Sequence, residues 1–483
     1  MGSGGSPKTR RRGGTPSVRH HNACCDTVTT MIVVNQSARS VHRRSSRGQN
    51  NRTLRILLSD GSGLTARQVA TQLGEAGHEV HVVAPDPLCL ARWTRHVRRV
   101  HRVPAYGRDP FGWLERTLDV LRGGFDALLV TQEQVAVLSR ESGRVCETGA
   151  AIAVPPFAAL KRVQDKLSAR ATLAELKLGQ PAARVVQSIE DLCAVTQPPV
   201  FVKTPIGTAT AGVWFVRDRS SLAGVAEELS AQNAFAGDGL LVQELVEGPL
   251  VMVQGVFSRG HLVASHANLR VRLGSSGGAS SKRSFVARWI DEDLARLGRG
   301  LEWHGALSLD AVLTAEGPLY IDVNPRLVEP GNAWLAGLDL VEALLHVTLG
   351  SRQDPIRSAH PDIATHQLLI AILGAAEKCG RSGVLRELCN AALRRGSYCD
   401  SYEELTPIRN DPLAAIPVAS AAAALLAAPA LSRLFTRSAV ENYALTPSAW
   451  RAICQPLSSN DAVEGPIGSS LEFLPRRRDE HAS

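Results

Sequence analysis

The segment from Arg55 to Ala84 narrows the choice of folds more than any other. A short apolar run, Arg55 to Ser59, passes through Asp60-Gly61-Ser62-Gly63 into a stretch of helical periodicity, Leu64 to Ala76, which Gly77 stops; a second apolar run, Glu79 to Ala84, follows. Two strands joined through a helix form a β-α-β unit, which demands a parallel sheet and a right-handed crossover. Phe111 to Arg122 reads as a further helix and Asp126 to Thr131 as a further buried strand. Residues 53–155 are therefore expected to form a small doubly wound α/β domain.

Pro155-Pro156 punctuates the chain, and Leu160 to Leu176 has helical periodicity before Gly179 and Pro181 end it. Strand-like runs follow at Pro199 to Thr204, Gly212 to Arg217 and Leu240 to Leu245, with a helix at Ser221 to Gln232 between the second and third. The Gly/Ser-rich segment Gly274 to Ser281 has the composition of a mobile lid. A helix and a hairpin then end at Arg326. The expected fold class is α/β then α+β, with a helical C-terminal region over 350–456. Ala415 to Leu431 is almost wholly apolar, but it carries Pro417 and Pro429 and falls short of the ~20 residues of a membrane span, so none is expected.

A formal net charge of +8 would suggest a nucleic-acid partner if it were spread over the fold. It is concentrated at the start, where Lys8, Arg10, Arg11, Arg12, Arg19, Arg39, Arg43, Arg44, Arg47 and Arg52 face a single acid, Asp26. The body of the chain lacks a basic stripe interleaved with aromatics, and no nucleic acid is expected. Residues 1–52 are expected to be a disordered basic leader, a composition shared with organelle transit peptides, and 457–483 a disordered tail. His20, His21, Cys24 and Cys25 form no metal site in such a segment. Nine cysteines without regular spacing make no disulfide framework and point to a reducing cytoplasm.

The strongest chemical signal is His304-Gly-Ala-Leu-Ser-Leu-Asp310, a turn at Glu316-Gly317-Pro318, and Leu319-Tyr-Ile-Asp322-Val-Asn324-Pro-Arg326. Asp310 and Asp322 are equally far from Glu316, so in a hairpin they face each other across neighbouring strands. Asn324 and Arg326 follow at intervals of two and share that face. Two carboxylates and an amide oxygen suit Mg²⁺, with Mn²⁺ as the alternative ion, and the arginine can neutralise a phosphoryl group.

This hairpin resembles the metal-binding hairpin of the ATP-grasp superfamily, which includes biotin carboxylases, carbamoyl-phosphate synthetase large subunits and carboxylate–amine ligases. The resemblance spans about Arg55 to Leu349, and implies a pre-ATP-grasp α/β domain over 53–155 and an ATP-grasp domain of two α+β subdomains over 156–349. It implies that Lys166 opens the first nucleotide-binding helix, and that Lys203, at a strand end, reaches phosphate with the loop residues Gly207, Thr208 and Ala209. Gln243, Glu244 and Val246 would form the adenine linker. Asp310, Asp322 and Asn324 would hold the metal, and Arg326 with Arg283, or another base among Arg270, Arg272 and Lys282, would act on the transferring phosphoryl group. Arg270, Glu133, Glu329 and Asn332 are substrate-side candidates. Two departures stand out: Pro249-Leu250 replaces an acid after the linker glycine, and Asp322 replaces the commoner glutamate.

The implied activity is an ATP-dependent carboxylate–amine ligase that forms an acyl phosphate, with small-molecule carboxylate and amine substrates and a homodimer as an open assembly. Two other functions fit parts of the chain. Gly61-Ser-Gly63-Leu-Thr-Ala66 after a strand, with Asp86 after the next, matches a dinucleotide-binding turn and would suit an NAD(P)-dependent oxidoreductase. Leu250 would suit an ATP-binding scaffold with reduced catalysis.

Overall fold

The computed structural model describes residues 1, 52–208, 211–351 and 359–456. The expectations for the basic leader, its His/Cys cluster and the C-terminal tail fall outside the described residues. From Thr53 onward the chain is one unit built on three sheets.

In the first sheet β1 (Arg55–Leu58), β2 (Glu79–Ala84), β3 (Val97–Arg102), β4 (Ala127–Leu129) and β5 (Ala151–Ile152) run parallel in the order β3-β2-β1-β4-β5. The apolar run of β1 does not alternate because both faces are covered. Ile56 and Leu58 pack with Val69 and Leu73 of the helix Leu64–Glu75, whereas Leu57 packs with Trp113 and Leu118 of the helix Pro110–Leu121. The strand order reverses between β1 and β4, which opens a crevice beyond their carboxyl ends.

The second sheet is antiparallel: β6 (Ala183–Val186), β7 (Val200–Lys203), β8 (Val213–Val216) and β9 (Leu240–Glu244), in the order β6-β9-β7-β8. Val200 and Val202 pack under Leu222 and Leu229 of the helix Arg219–Ala231. Alternation therefore turns Phe201 and Lys203 to the other face.

The third sheet contains β10 (Leu250–Ser258), β11 (His261–Leu273), β12 (Ala279–Phe285), β13 (Gly305–Thr314), β14 (Gly317–Asn324), β15 (Ala364–His366) and β16 (Tyr402–Glu403), in the order β14-β13-β10-β11-β12-β15-β16. One face buries Val253, Leu307, Leu309 and Val323 with Ile290, Leu294 and Leu297 of the helix Arg288–Leu301.

Two expectations need correction here. The C-terminal region is not only helical, because β15 pairs with β12 and β16 with β15, which weaves it into the third sheet. The segment Gly274 to Ser281 is a tight turn rather than a lid: Gly274 N–H donates to Gly278 O at 2.7 Å, and the Ser275 hydroxyl is hydrogen-bonded to Glu377 and, at 3.0 Å, to Thr436. It packs so closely on the helix Leu368–Ala392 that a Cβ on Gly374 would lie 2.5 Å from the Gly274 carbonyl carbon. The apolar C-terminal stretch forms a helix of 13 residues, Ala415–Ala427, and among the described residues no helix is long and apolar enough to cross a membrane.

Candidate active site

The register of the third sheet builds the centre of the site. Asp310 pairs with Asp322 on one side and with Met252 on the other, and Met252 pairs with Asn268. Directly paired residues point to the same face, and so do residues two apart on one strand. Asp310, Asp322 and Asn324 therefore share a face with Arg270 and Lys282, which are themselves cross-strand partners. This is the face opposite the one packed on the helix Arg288–Leu301.

Asp322 and Asn324 line a cleft with Glu133, Lys166, Arg170, Gly207, Leu241 and Gln243. The side chains of Asp322 and Asn324 make no hydrogen bond among the described residues, whereas Asp310 is ion-paired with Arg270 through one carboxylate oxygen. No group of three or more His, Cys, Asp or Glu side chains converges as a metal set among the described residues. The donor set is thus two carboxylates and an amide oxygen, all hard, and it suits Mg²⁺ that takes its other positions from phosphate and water.

The cations arrive from separate elements. The helical periodicity at Leu160 to Leu176 is divided at Asp165 into Phe157–Gln164 and Lys166–Glu175. Asp165 caps the second helix, its carboxylate accepting from the N–H groups of Leu167 at 3.0 Å and Ser168 at 2.8 Å, which places Lys166 at the first helical position. Lys203 ends β7, is buried, and donates from Nζ to the carbonyl of Ile321 at 2.9 Å, beside Asp322. Burial pushes the Lys203 pKa down, Lys166 adds to this, and Asp322 and Asp310 oppose it. These four charged groups therefore form one electrostatic unit.

Arg326 donates to Glu133 Oε1 from Nε at 3.1 Å and from Nη2 at 2.9 Å, and both side chains are buried. Glu133 leaves β4 at the crevice where the strand order reverses, so this pair joins the first domain to the hairpin. Gly207 lines the cleft, and a Cβ there would lie 2.0 Å from the Ala211 carbonyl oxygen. Thr208 is buried and its hydroxyl accepts from Leu445 N–H at 3.4 Å. Ala209 lies outside the described residues. In the linker, Gln243 is buried in the cleft, Glu244 is exposed and Val246 is half-buried.

Two of the expected residues do not join this group. Arg283 pairs with Leu269 and lies one residue from Lys282, so strand alternation turns it to the opposite face, where it is exposed. Asn332 is fully buried, and its side chain is spent on His266, Thr365 and the Ile363 carbonyl at 2.8, 2.9 and 3.2 Å. Arg270 meets Asp310, and Glu329 meets Lys282 at 2.5 Å. Arg170 also lines the cleft and no sequence motif marks it; Leu241, which opens the linker segment, faces Lys203 through a register that sequence periodicity does not fix.

The dinucleotide-type turn is closed by its own side chain. Asp60 is buried and accepts from the N–H groups of Ser62 at 2.9 Å and Gly63 at 2.6 Å. Burial raises the Asp60 pKa to about 6, against those backbone donors. The N–H groups that would cradle a pyrophosphate are thus already engaged.

No protein-family profile matches the sequence, and no curated protein matches it. Solved structures do share the fold. The biotin carboxylase domain of 2-oxoglutarate carboxylase from Hydrogenobacter thermophilus, solved as a dimer with MgADP, ADP and bicarbonate, superposes with a TM-score of 0.53 at 15% identity, covering 66% of this chain and 75% of its own. An N5-carboxyaminoimidazole ribonucleotide synthetase in its ADP complex gives 0.53 at 15% identity, over 70% and 86% of the two chains. Biotin carboxylase from Campylobacter jejuni gives 0.51 at 16% identity, over 64% and 74%. These are ATP-grasp proteins, and the fold of this chain is theirs.

Proposed function

For a chain with the ATP-grasp fold, we propose that the cleft binds MgATP and that the protein activates a carboxylate and joins it to an amine. The observation that carries this is the cross-strand pair Asp310 and Asp322 with Asn324 on the same face: Asp322 and Asn324 share one cleft with Lys166, and Lys203 bonds to the Ile321 carbonyl beside Asp322. Phe201, Leu241 and Gln243 share a face of the second sheet with Lys203, which gives the base of a nucleotide an apolar wall and an amide.

Asp310, Asp322 and Asn324 would hold Mg²⁺, or Mn²⁺ in its place, which neutralises phosphate charge when bound. Lys203 and Lys166 orient the phosphates, and Gly207 allows the loop backbone to approach them. Arg326, fixed by Glu133, faces the group to which the γ-phosphoryl is transferred. The carboxylate oxygen bonds to that phosphorus as ADP leaves. The amine nitrogen then bonds to the acyl carbon, the bond from that carbon to the phosphate oxygen breaks, phosphate departs, and the nitrogen gives up its proton. Small-molecule carboxylates and amines are the substrates in this proposal, with the cytoplasm as the compartment and a homodimer as the assembly to test first.

The test is ADP and phosphate release from ATP with pooled carboxylates and pooled amines, with and without Mg²⁺. Release that needs both pools and the metal is expected. Tight ATP binding without release from any pool would favour a scaffold. Binding of NAD(H) but not ATP would overturn the nucleotide assignment.

A further inference from the structure

The segment 442–446 joins the helix Leu431–Glu441 to the helix Pro447–Cys454 and lies against the first domain. Asn442 Nδ2 donates to Ser62 Oγ at 3.1 Å, Tyr106 N–H donates to the Asn442 carbonyl at 3.3 Å, and the Thr446 hydroxyl donates to the Gly107 carbonyl at 2.9 Å. At Gly107 the two backbones are so close that a Cβ would lie 2.5 Å from the Ala444 carbonyl oxygen. Thr446 also caps the helix that follows, its hydroxyl accepting from Ala449 N–H at 3.1 Å. Tyr443 and Leu445 are buried. Both ends of the segment are thus anchored, and it forms a strap. The turn at 60–63, whose N–H groups are taken up by Asp60, presents Ser62 to this strap.

Between its anchors the strap meets the loop that joins β7 to β8. Leu445 N–H donates to Thr208 Oγ at 3.4 Å, and Thr208 is buried next to Gly207, which lines the cleft. Lys166 N–H, at the start of the helix Lys166–Glu175, donates to the Pro205 carbonyl at 3.0 Å. Among the described residues, these two are the only hydrogen bonds that tie residues 204–208 to the protein outside the β7–β8 hairpin. One comes from the helix that carries a cleft lysine, the other from the C-terminal region. Leu445 donates through its backbone, so this contact depends on where Asn442 and Thr446 place the strap and not on the side chain at 445.

We propose that the strap positions the phosphate loop for the nucleotide: Asn442 and Thr446 hold the segment 442–446 on the first domain, and Leu445 N–H then fixes Thr208 beside the cleft. The proposal rests on the nucleotide reading above and adds the C-terminal region to the elements that set nucleotide affinity. A loop held at two points has less freedom to lose when a ligand binds, and binding is correspondingly tighter. A single bond from N–H to a hydroxyl at 3.4 Å is weak, so the hold is reversible and the loop can let a product go. Asn442 and Thr446 act through Leu445 and Thr208, and are positioning residues.

The test compares the full chain with a variant carrying Asn442→Ala and Thr446→Val, by amide hydrogen exchange without nucleotide and by MgADP titration and release. In the variant, exchange over 204–208 is expected to rise about tenfold while exchange over the β13–β14 hairpin stays as in wild type. MgADP affinity is expected to fall about fivefold, chiefly through faster release. Thr446→Ser, which keeps the hydroxyl, is expected to match wild type in both readouts. Should the double variant fail to fold, Asn442→Ala and Ser62→Ala carry the same measurements singly. Unchanged exchange over 204–208, or a rise of the same size in the β13–β14 hairpin, would overturn the strap's hold on the loop. Faster exchange with unchanged MgADP affinity and release would overturn its part in nucleotide binding. A wild-type protein that binds no MgADP, while exchange over 204–208 still responds to the strap, would overturn the nucleotide reading and leave the hold on the loop standing.

Discussion

At the scale of single residues, charge placement and strand parity decide what each side chain can do. Among the described residues the Asp322 side chain makes no hydrogen bond, so its truncation removes a metal-ligating carboxylate without breaking one. Asp322→Ala is therefore expected to fold as wild type and to lose about 100-fold or more in ATP turnover; turnover at the wild-type rate in a folded variant would remove the hairpin from the chemistry. Arg326→Lys keeps the charge but cannot reproduce the paired donation to Glu133. A fall in kcat of roughly 100-fold is expected, with a smaller change in the KM for ATP. His266 supplies a pH signature. Burial holds its pKa down to about 4 from 6.5; Lys282 adds to this, and the bond to Asn332 opposes it. Between those values the unfolded chain binds a proton that the native chain refuses, so stability that is full above about pH 6.5 is lost as pH falls toward 4, by at most about 3 kcal/mol. His266→Gln keeps a donor for Asn332 and is expected to flatten the fall of melting temperature over that interval. A fall as steep as that of the wild type would assign the effect elsewhere.

At the scale of elements, the loop between β7 and β8 shows how local geometry serves the cleft. A side chain at Gly207 would collide with the Ala211 carbonyl at 2.0 Å, so Gly207→Ala must displace the loop backbone from the position it takes beside the cleft. A loss of about tenfold in ATP affinity, ~1.4 kcal/mol, is expected by titration calorimetry; unchanged affinity would take this loop out of nucleotide binding. The boundaries of such elements are largely readable from the chain. The strand Glu79–Ala84 falls where its apolar run does, and the helix Pro110–Leu121 lies within a residue of Phe111 to Arg122. The pairing of Asp310 with Asp322 is readable too, because a period of two about a marked turn fixes register within one hairpin. Register between β11 and β12 is set instead by irregularities at Arg272, so a cluster of basic residues could not be sorted by face, and Arg283 falls on the wrong one. Strands of three and two residues, Ala364–His366 and Tyr402–Glu403, are too short to show periodicity at all, which is why the C-terminal region reads as helix alone.

At the scale of the whole molecule, the C-terminal region is structural to the site and not an appendage, and its long-range contacts are what sequence patterning has no means to report. Glu404 meets Lys282 and Asp411 meets Arg67 across separations of 122 and 344 residues. Arg67 and Asp411 form an ion pair with side chains 0% and 1% exposed, at 3.0 Å, which also accepts the backbone N–H of Arg95 at 3.3 Å. Burial lowers the Arg67 pKa while Asp411 and Glu403 oppose it, so the guanidinium depends on its partners to stay charged there. Removing one member of such a pair strands a charge in the interior and typically costs about 3–5 kcal/mol, whereas exchanging both for apolar groups of similar size costs far less. Asp411→Ala is accordingly expected to lower the denaturation midpoint sharply, and Arg67→Met combined with Asp411→Leu to recover most of the loss. A chain cut after 349 forfeits that pair, the β15 edge on β12 and the Glu404 partner of Lys282 at once, and is expected to give no cooperative unfolding transition. If the shortened chain instead unfolded cooperatively with a midpoint near that of the full chain, the C-terminal region would be a separable domain.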